Sequence, residues 1–512
     1  MMKRDGNLKS FWQDTAPLHV PLSKTIYSKM HFDAVVIGGG ITGVTTALML
    51  QLAGKKCLLL EANKIGFGTT GGTSAHLNSV LDTPYSDIID KCGTEVAKKV
   101  AESALEAIQI IKQFVEKYKI ECEFQEVRGY MYATDEQEEK ELDKIYQAIE
   151  QVGLPTSYTS DIGMPVQFTK AIYFDQQARF NPLKYVQCLL DIYIKNGGRI
   201  LENESMQNIE EGEGNLKVVG ENYSYTAACV VHATHTYTGV NKLNFKLGPY
   251  RSYVLAVELQ NPKDYPEGLI YDMKNPFHYL RKASDDSGDV LIVGGEDHKT
   301  GQEENPQFCF KNLEAFVRKR FAVKSIRNMW SSQYYESTDA LPYIGAISKE
   351  SPKEFVATGF SGNGMIFGTL SAKIISDLIL TGQNTYTDIY APLRNSPIAG
   401  FKTFVSENVN VVKRLVGDRF KKETLDELAA LSPGEGKVVS YKKESLAIYK
   451  DESGKVYALD PVCKHAGCIV QWNNAEKSWD CPCHGARYGI DGAMLNGPAR
   501  LPLDLVDLTD NK

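Results

Sequence analysis

The 512-residue sequence has no long uninterrupted apolar run. Its best candidates, Ala34–Ile37 and Ile374–Leu380, are cut by glycine or by Ser376 and Asp377, far short of the ~18 residues a membrane span needs. Basic charge is also scarce. Lys and Arg number 57 against 64 Asp and Glu, a net charge of −7 with no local Lys/Arg run, so the electrostatic footprint of a nucleic-acid binder is missing. The start Met1–Asn7 carries two basic residues but no apolar stretch behind them, so no secretory signal is expected and the chain reads as cytoplasmic. Repeats and low-complexity tracts are absent. Hydrophobic residues at 43 % and charged residues at 24 % exclude disorder as the main description, and the length suggests about three structural units.

What is present is organised. The run Phe32–Gly38 reads as a buried strand, Ile41 to about Leu52 as a helix closed by Gly54, and Lys56–Glu61 as a second buried strand. Strand, glycine turn, helix and strand make a βαβ unit, which implies a parallel sheet. Helical spacing returns over Cys92–Ile120 and Leu142–Val152, so a helical insertion is expected within 85–165. Asn181-Pro182 opens a helix over Leu183–Lys195, ended by Asn196-Gly197-Gly198. Short strands are expected at Arg199–Leu201, Leu216–Val219, Ser224–Tyr225 and Cys229–Ala233, a mostly antiparallel sheet over 250–295, and a helix around Leu370–Leu380.

Gly38-Gly-Gly40-Ile41-Thr42-Gly43 matches G-x-G-x-x-G between that strand and helix, and Glu61 ends the next strand 18 residues after Gly43. This is the context a dinucleotide fingerprint demands: glycines admit a pyrophosphate to the backbone, the helix N-terminus faces its charge, and the acid takes ribose hydroxyls. Glu61 disfavours a 2′-phosphate and hence NADP. Spacing alone leaves FAD and NAD open.

Gly68-Thr-Thr-Gly-Gly-Thr73-Ser74-Ala-His76 resembles the flavin loop of the D-amino-acid-oxidase/glycine-oxidase superfamily. Trp330–Gly345 and Phe355–Gly368 resemble its C-terminal flavin signature, and Cys229–Thr234 its central strand. The resemblance covers about 30–390 and implies FAD. By it, Thr73 and Ser74 sit in the flavin loop, Met206 contacts the adenine, and Gly359, Gly364, Met365 and Ile366 lie along the isoalloxazine. Relatives carry a flavin-linked histidine near His76, and hold a substrate carboxylate near Arg281, a role an arginine fork suits. Both residues have plainer readings, a ring packed beside the flavin and an ion pair. Tyr253 and Tyr334 are further candidates for the pocket wall among 27 tyrosines.

Of 10 cysteines, six are scattered as far as Cys309, while Cys463, Cys468, Cys481 and Cys483 cluster around His465 and His484. The spacing is C-x-H followed by C-x-x-H. Two thiolates and two imidazoles suit zinc, but the tight C-x-H suits two loops meeting at a two-iron cluster. The block resembles a Rieske [2Fe–2S] domain over about 437–508. The resemblance assigns Cys463 and Cys481 to one iron and His465 and His484 to the other. It also implies that Cys468 and Cys483 form a disulfide, with free thiols the alternative in a cytosolic chain. Where the family often has serine after Cys-His-Gly, this chain has Ala486, so a donor to the cluster is missing and a lower potential is expected.

The expected architecture is therefore an α/β FAD-binding, Rossmann-like domain with an inserted α+β substrate domain, plus a small all-β Rieske domain. The oxidoreductase module occupies 1–390, with its FAD-binding part at about 30–85, 170–245 and 330–390 and its substrate part at about 86–169 and 246–329. A linker fills 391–436, with a charged helix in its middle, and the Rieske domain fills 437–512. The resemblance implies an FAD-dependent dehydrogenase that oxidises a small amine or amino-acid-like substrate at a C–N bond. Electrons would pass singly through the [2Fe–2S] cluster to or from a protein partner. The alternatives are an oxidase using O₂ with a structural or sensing cluster, and a redox sensor that is no enzyme. Oligomeric state, substrate identity and whose flavin the Rieske domain faces are left open.

Overall fold

The computed structural model describes residues 6–16, 30–212, 214–394, 431–441 and 444–507. The charged helix expected in the linker lies outside the described residues.

The first sheet is built on runs that are apolar on both faces, as a sheet covered by helices requires. Its order is Tyr343–Ala346, Glu354–Thr358, Ser224–His232, His31–Ile37, Cys57–Glu61, Arg199–Glu202. The four pairings from Glu354–Thr358 to Arg199–Glu202 are parallel, and Val36 sits opposite both Val231 and Leu59. Ser224–Tyr225 and Cys229–Ala233 are parts of one strand, because Thr226 and Ala227 continue the ladder onto His31 and Phe32. Its other edge pairs antiparallel with Leu216–Gly220, which pairs in turn with Met206–Glu211. Helix Ile41–Leu52 packs between Pro182–Lys195 and Gly364–Thr381.

Helix Gly364–Thr381 starts well before the expected Leu370. Its 18 residues are long and apolar enough to cross a bilayer, which corrects the reading of the interrupted run. Two of its buried hydroxyls return to the helix's own carbonyls, Thr369 to Met365 and Ser371 to Phe367. The helix lies in the core beside Ile41–Leu52 and Thr94–Tyr118.

The second sheet runs Val323–Ser337, Leu247–Leu259, Gly288–Lys299, Tyr279–Asp285, Leu269–Asp272, Gln125–Ala133, Lys170–Arg179, His76–Leu77. It is antiparallel except between Leu269–Asp272 and Gln125–Ala133. Strands Lys170–Arg179 and Val323–Ser337 thus belong to this sheet, although the sequence reading put 170 and 330 at the edges of the FAD-binding part. Their pairing partners, distant in sequence, decide the matter. The inserted helices are Thr94–Tyr118 and Glu136–Gln151.

The last unit is all β, with a three-stranded sheet over Gly436–Leu459 and a four-stranded one of Gln471–Asn473, Ser478–Asp480, Arg487–Tyr488 and Met494–Asn496. An unanticipated N-terminal piece completes the fold. Ser10 caps the short helix Phe11–Thr15, and Trp12 Nε1 donates to Thr73 O at 2.6 Å, pinning the expected flavin loop from outside.

Candidate active site and metal centre

A cavity of about 600 Å³ opens between the two sheets at the C-terminal ends of the parallel strands, where such sheets bind ligands. Gly38, Gly40, Ile41, Thr42, Glu61, Thr73, Ser74, His76, Met206, Gly364 and Met365 all line it. Gly43, Gly359 and Ile366 do not. Gly43 serves packing instead: a Cβ there would stand 1.8 Å from Gly38 O, so only glycine lets the helix sit against the strand turn. Gly38 itself has φ +111° with Ala233 O behind it, and no side chain fits. Ile366 is fully buried in the core.

The wall suits a dinucleotide. Gly40, before the helix Ile41–Leu52, offers no capping side chain of its own; Thr70 Oγ1 accepts from Ile41 N at 3.0 Å, and Gly40, Ile41 and Thr42 line the cavity at the helix N-terminal end. Glu61 accepts from Gly39 N at 2.6 Å and Asn63 N at 2.8 Å. Burial pushes its carboxyl up to about 7 against those two bonds, a cost that further donors, such as ribose hydroxyls, would relieve.

His76 Nδ1 lies 2.9 Å from Ser74 Oγ, with the rings of Tyr271 and Tyr279 beside it. Burial, and then the charge of Arg281, hold its pKa well below the usual value, so the ring is neutral. Arg281, expected near a substrate carboxylate, is not among the residues that line the cavity. Its guanidinium donates to Ser74 O at 2.8 Å, Phe180 O at 3.0 Å and Lys282 O at 3.4 Å, and stacks over Trp12. It positions the loop carrying Ser74 and His76. Tyr334 lines the cavity, whereas Tyr253 points into a separate core against Phe310 and His298.

Sequence reasoning missed four side chains and one segment. Asp82 and Asp297 line the cavity, as do Tyr271 and Tyr279. Nothing local marks them, since an acid in a loop or near a strand end ordinarily faces water. The segment belongs to the C-terminal domain, Ala493–Pro502, from which Met494, Asn496 and Arg500 join the same wall.

In that domain Cys463 and His465 occupy one loop, and Cys481 and His484 the next. Cys468 and Cys483 form a disulfide that ties these loops together. A closed loop of that 15-residue separation contributes about 3 kcal/mol in the chain-entropy model. The Sγ atoms of Cys468, Cys481 and Cys483 lie within 4.8 Å of one another, but the disulfide spends two of them. Cys463 and Cys481 remain as buried free thiols within hydrogen-bond reach of each other. The His465 and His484 rings stand 4.8 Å apart, and the Nδ1 atom of each is buried without a partner. Two thiols and two orphaned imidazole nitrogens are the donor set of a two-iron cluster with thiolates on one iron and imidazoles on the other. Tyr488 Oη lies 3.3 Å from Cys463 Sγ.

The two sites face each other within one chain. Gln333 lines the cavity, and its Nε2 donates to Gly485 O at 2.8 Å, beside His484. Tyr335 Oη lies 3.3 Å from His484 O, Asn244 Nδ2 lies 3.2 Å from His465 Nε2, and Phe245 meets the His484 ring edge-on. A buried charge pair locks the contact: Glu476 stands 3.7 Å from Arg251, both with fully buried side chains.

Fold and sites together define a flavin-dependent oxidoreductase with a built-in iron–sulfur domain. Residues 33–378 match the family model of FAD dependent oxidoreductases (DAO), and residues 423–506 that of the Rieske [2Fe-2S] domain. The chain belongs to the DAO family of FAD-dependent oxidoreductases, carries a C-terminal Rieske domain, and has FAD and a [2Fe–2S] cluster as its cofactors. Over 503 residues it is 31 % identical to YhfW of Bacillus subtilis (strain 168), whose name describes a Rieske 2Fe-2S iron-sulfur protein, covering 98 % of each chain. It is 24 % identical over 419 residues to gamma-glutamylputrescine oxidoreductase of Escherichia coli (strain K12), covering 77 % of this chain and 94 % of that one. In fold it is similar to glycine oxidase from Geobacillus kaustophilus, with TM-score 0.61 and 16 % identity over 71 % of this chain and 99 % of that one.

Proposed function

We propose that the protein is a dehydrogenase that oxidises an amine or amino-acid-like substrate at a C–N bond and passes the electrons singly, through its Rieske domain, to an external one-electron acceptor. FAD supplies a two-electron hydride acceptor and the cluster a one-electron carrier. The chain's own part is to bind, orient and keep dry. The glycine turn and Glu61 hold the dinucleotide end of the cavity. Ser74 and Arg281 fix the loop that presents His76, and Tyr271 and Tyr279 wall the substrate end. His76, held neutral, adds no charge there. Hydride transfer from a carbon beside nitrogen needs no strong protein acid or base.

One observation carries the relay. Strand Val323–Ser337 walls the cavity with Gln333 and Tyr334, and the same strand holds the ligand loop through Gln333 and Tyr335. A structural or sensing cluster has no need of such continuity. The names of gamma-glutamylputrescine oxidoreductase and glycine oxidase point to amines and amino acids as the substrate class.

The test is low-temperature EPR on anaerobic protein after photoreduction of its flavin, with metal analysis of the same sample. A rhombic Rieske signal with about two irons per chain is expected. A bleached flavin with no cluster signal, or zinc in place of iron, overturns the relay. Peroxide formed with an amine while the cluster stays oxidised would instead establish the oxidase.

A further inference from the structure

We propose that the substrate end of the cavity recognises a cation, so that the substrate is an amine or N-alkylated amine held by its positive charge rather than an α-amino acid held by its carboxylate. This rests on the cavity being the oxidation site proposed above. Asp297 is the anchor. Its Oδ2 accepts from Tyr334 Oη at 2.9 Å, the Ser252 hydroxyl is the other donor facing the carboxyl, and Oδ1 is buried with no hydrogen bond of ordinary length. A second carboxylate, Asp82, lines the same cavity, compensated by the amides of Asn363 at 3.2 Å and Asn78 at 3.5 Å and by no cation.

No Lys or Arg side chain pairs with these acids among the described residues, and His278, the basic ring that acts on Asp297, has its Nδ1 2.8 Å from Asp272 Oδ2. Among the described residues Arg500 is the sole Lys or Arg lining the cavity. It comes from the Rieske segment and donates to Thr238 O at 2.9 Å. Arg281 is spent on main-chain carbonyls, as shown above, and Arg179 bonds Gln125 at 2.7 Å. Two carboxylates in an enclosed wall without a counter-charge are expensive unless a cation arrives. The rest of the lining favours the same guest: Tyr271, Phe277, Tyr279 and Tyr334 offer aromatic faces, which attract ammonium groups. An anionic substrate group would meet like charge and find no fork to bind it.

The experiment titrates the anaerobic holoprotein with two unreactive probes of similar size and opposite charge, benzyltrimethylammonium and phenylacetate. The readouts are the flavin absorption band and intrinsic fluorescence. The cation should bind and the anion should not. Asp297→Asn keeps the shape and an acceptor for Tyr334 but removes the charge, and should weaken the cation between about tenfold and a hundredfold. Discrimination between the probes by the unaltered protein needs no variant, so a poorly folding Asp297→Asn leaves the test intact. Binding of phenylacetate in preference to the cation, or binding of neither, overturns the proposal. If α-amino acids then bleach the flavin, the C–N oxidation stands and only the cation recognition falls. If neither amines nor amino acids bleach it, the underlying function falls as well.

Discussion

Glu476→Gln is the perturbation that best tests whether the Rieske domain is fixed against the flavin module. Glu476 Oε1 accepts from Ser331 N at 3.0 Å and Ser331 Oγ at 2.6 Å, its Oε2 accepts from Leu8 N at 3.3 Å, and Arg251 lies 3.7 Å away. Both side chains are 0 % exposed. Glutamine keeps the shape and loses the charge. Arg251 then keeps the Ser331 hydroxyl that its Nη2 donates to at 2.5 Å and, as an acid, Asp480, which already pairs with Arg487 at 3.0 Å. Its Nε and Nη1 have no hydrogen-bond partners to fall back on. Breaking one side of a buried pair costs roughly 3–5 kcal/mol, and the nearby Asp480 favours the lower end. Replacing both partners with apolar residues, Arg251→Met with Glu476→Leu, should recover most of that loss, because the desolvation penalty disappears with the charges. The assay is urea unfolding followed by fluorescence, with Trp472 and Trp479 in the Rieske domain and Trp12 and Trp330 in the flavin module. A loss below about 1 kcal/mol for Glu476→Gln, in the range of an exposed ion pair, would refute the lock. So would a double variant no more stable than the single one.

Ala486→Ser should restore a hydroxyl donor beside the cluster and raise its potential. A hydrogen bond of about 1 kcal/mol for the reduced state corresponds to roughly 40 mV in a one-electron couple, and an unchanged redox titration would count against the argument. Affinity for benzyltrimethylammonium should rise from about pH 6 to about pH 8 and level off. Burial pushes the Asp297 carboxyl up to about 7, against the hydroxyls of Ser252 and Tyr334, with Asp82 raising it and His278 lowering it. Below that value the carboxyl is protonated and offers no charge. The Tyr279 and Tyr334 hydroxyls titrate far above this window, and a quaternary probe does not titrate at all. Affinity independent of pH over this range would remove Asp297 as the anchor.

Much of the flavin module was legible because its signals are local. The glycine turn, the buried strands and the acid at Glu61 sit within one βαβ unit, where neighbouring residues dictate each other's conformation. The same holds for the iron ligands, since C-x-H and C-x-x-H each place two donors on one tight loop. Less legible were residues whose role is set by remote partners. Arg281 resembled a carboxylate holder, yet it is consumed by carbonyls at 74, 180 and 282. The sheet that strands Lys170–Arg179 and Val323–Ser337 join was not legible, because strand pairing is non-local.

The sequence by itself determined the cofactor chemistry. A phosphate-binding turn and a Cys/His ligand pattern are short-range devices, and their residues cannot be arranged far from one another. Only the tertiary structure decided how the two centres are used. It put Met494, Asn496 and Arg500 of the Rieske domain into the flavin cavity, held the ligand loop on the strand of Gln333, and buried Arg251 against Glu476. It also brought Asp82 and Asp297, 215 positions apart, into one cavity wall where, among the described residues, Arg500 is the sole Lys or Arg. Such placements arise when distant segments pack, and the charge they leave uncompensated is a property of the assembled cavity rather than of any segment within it.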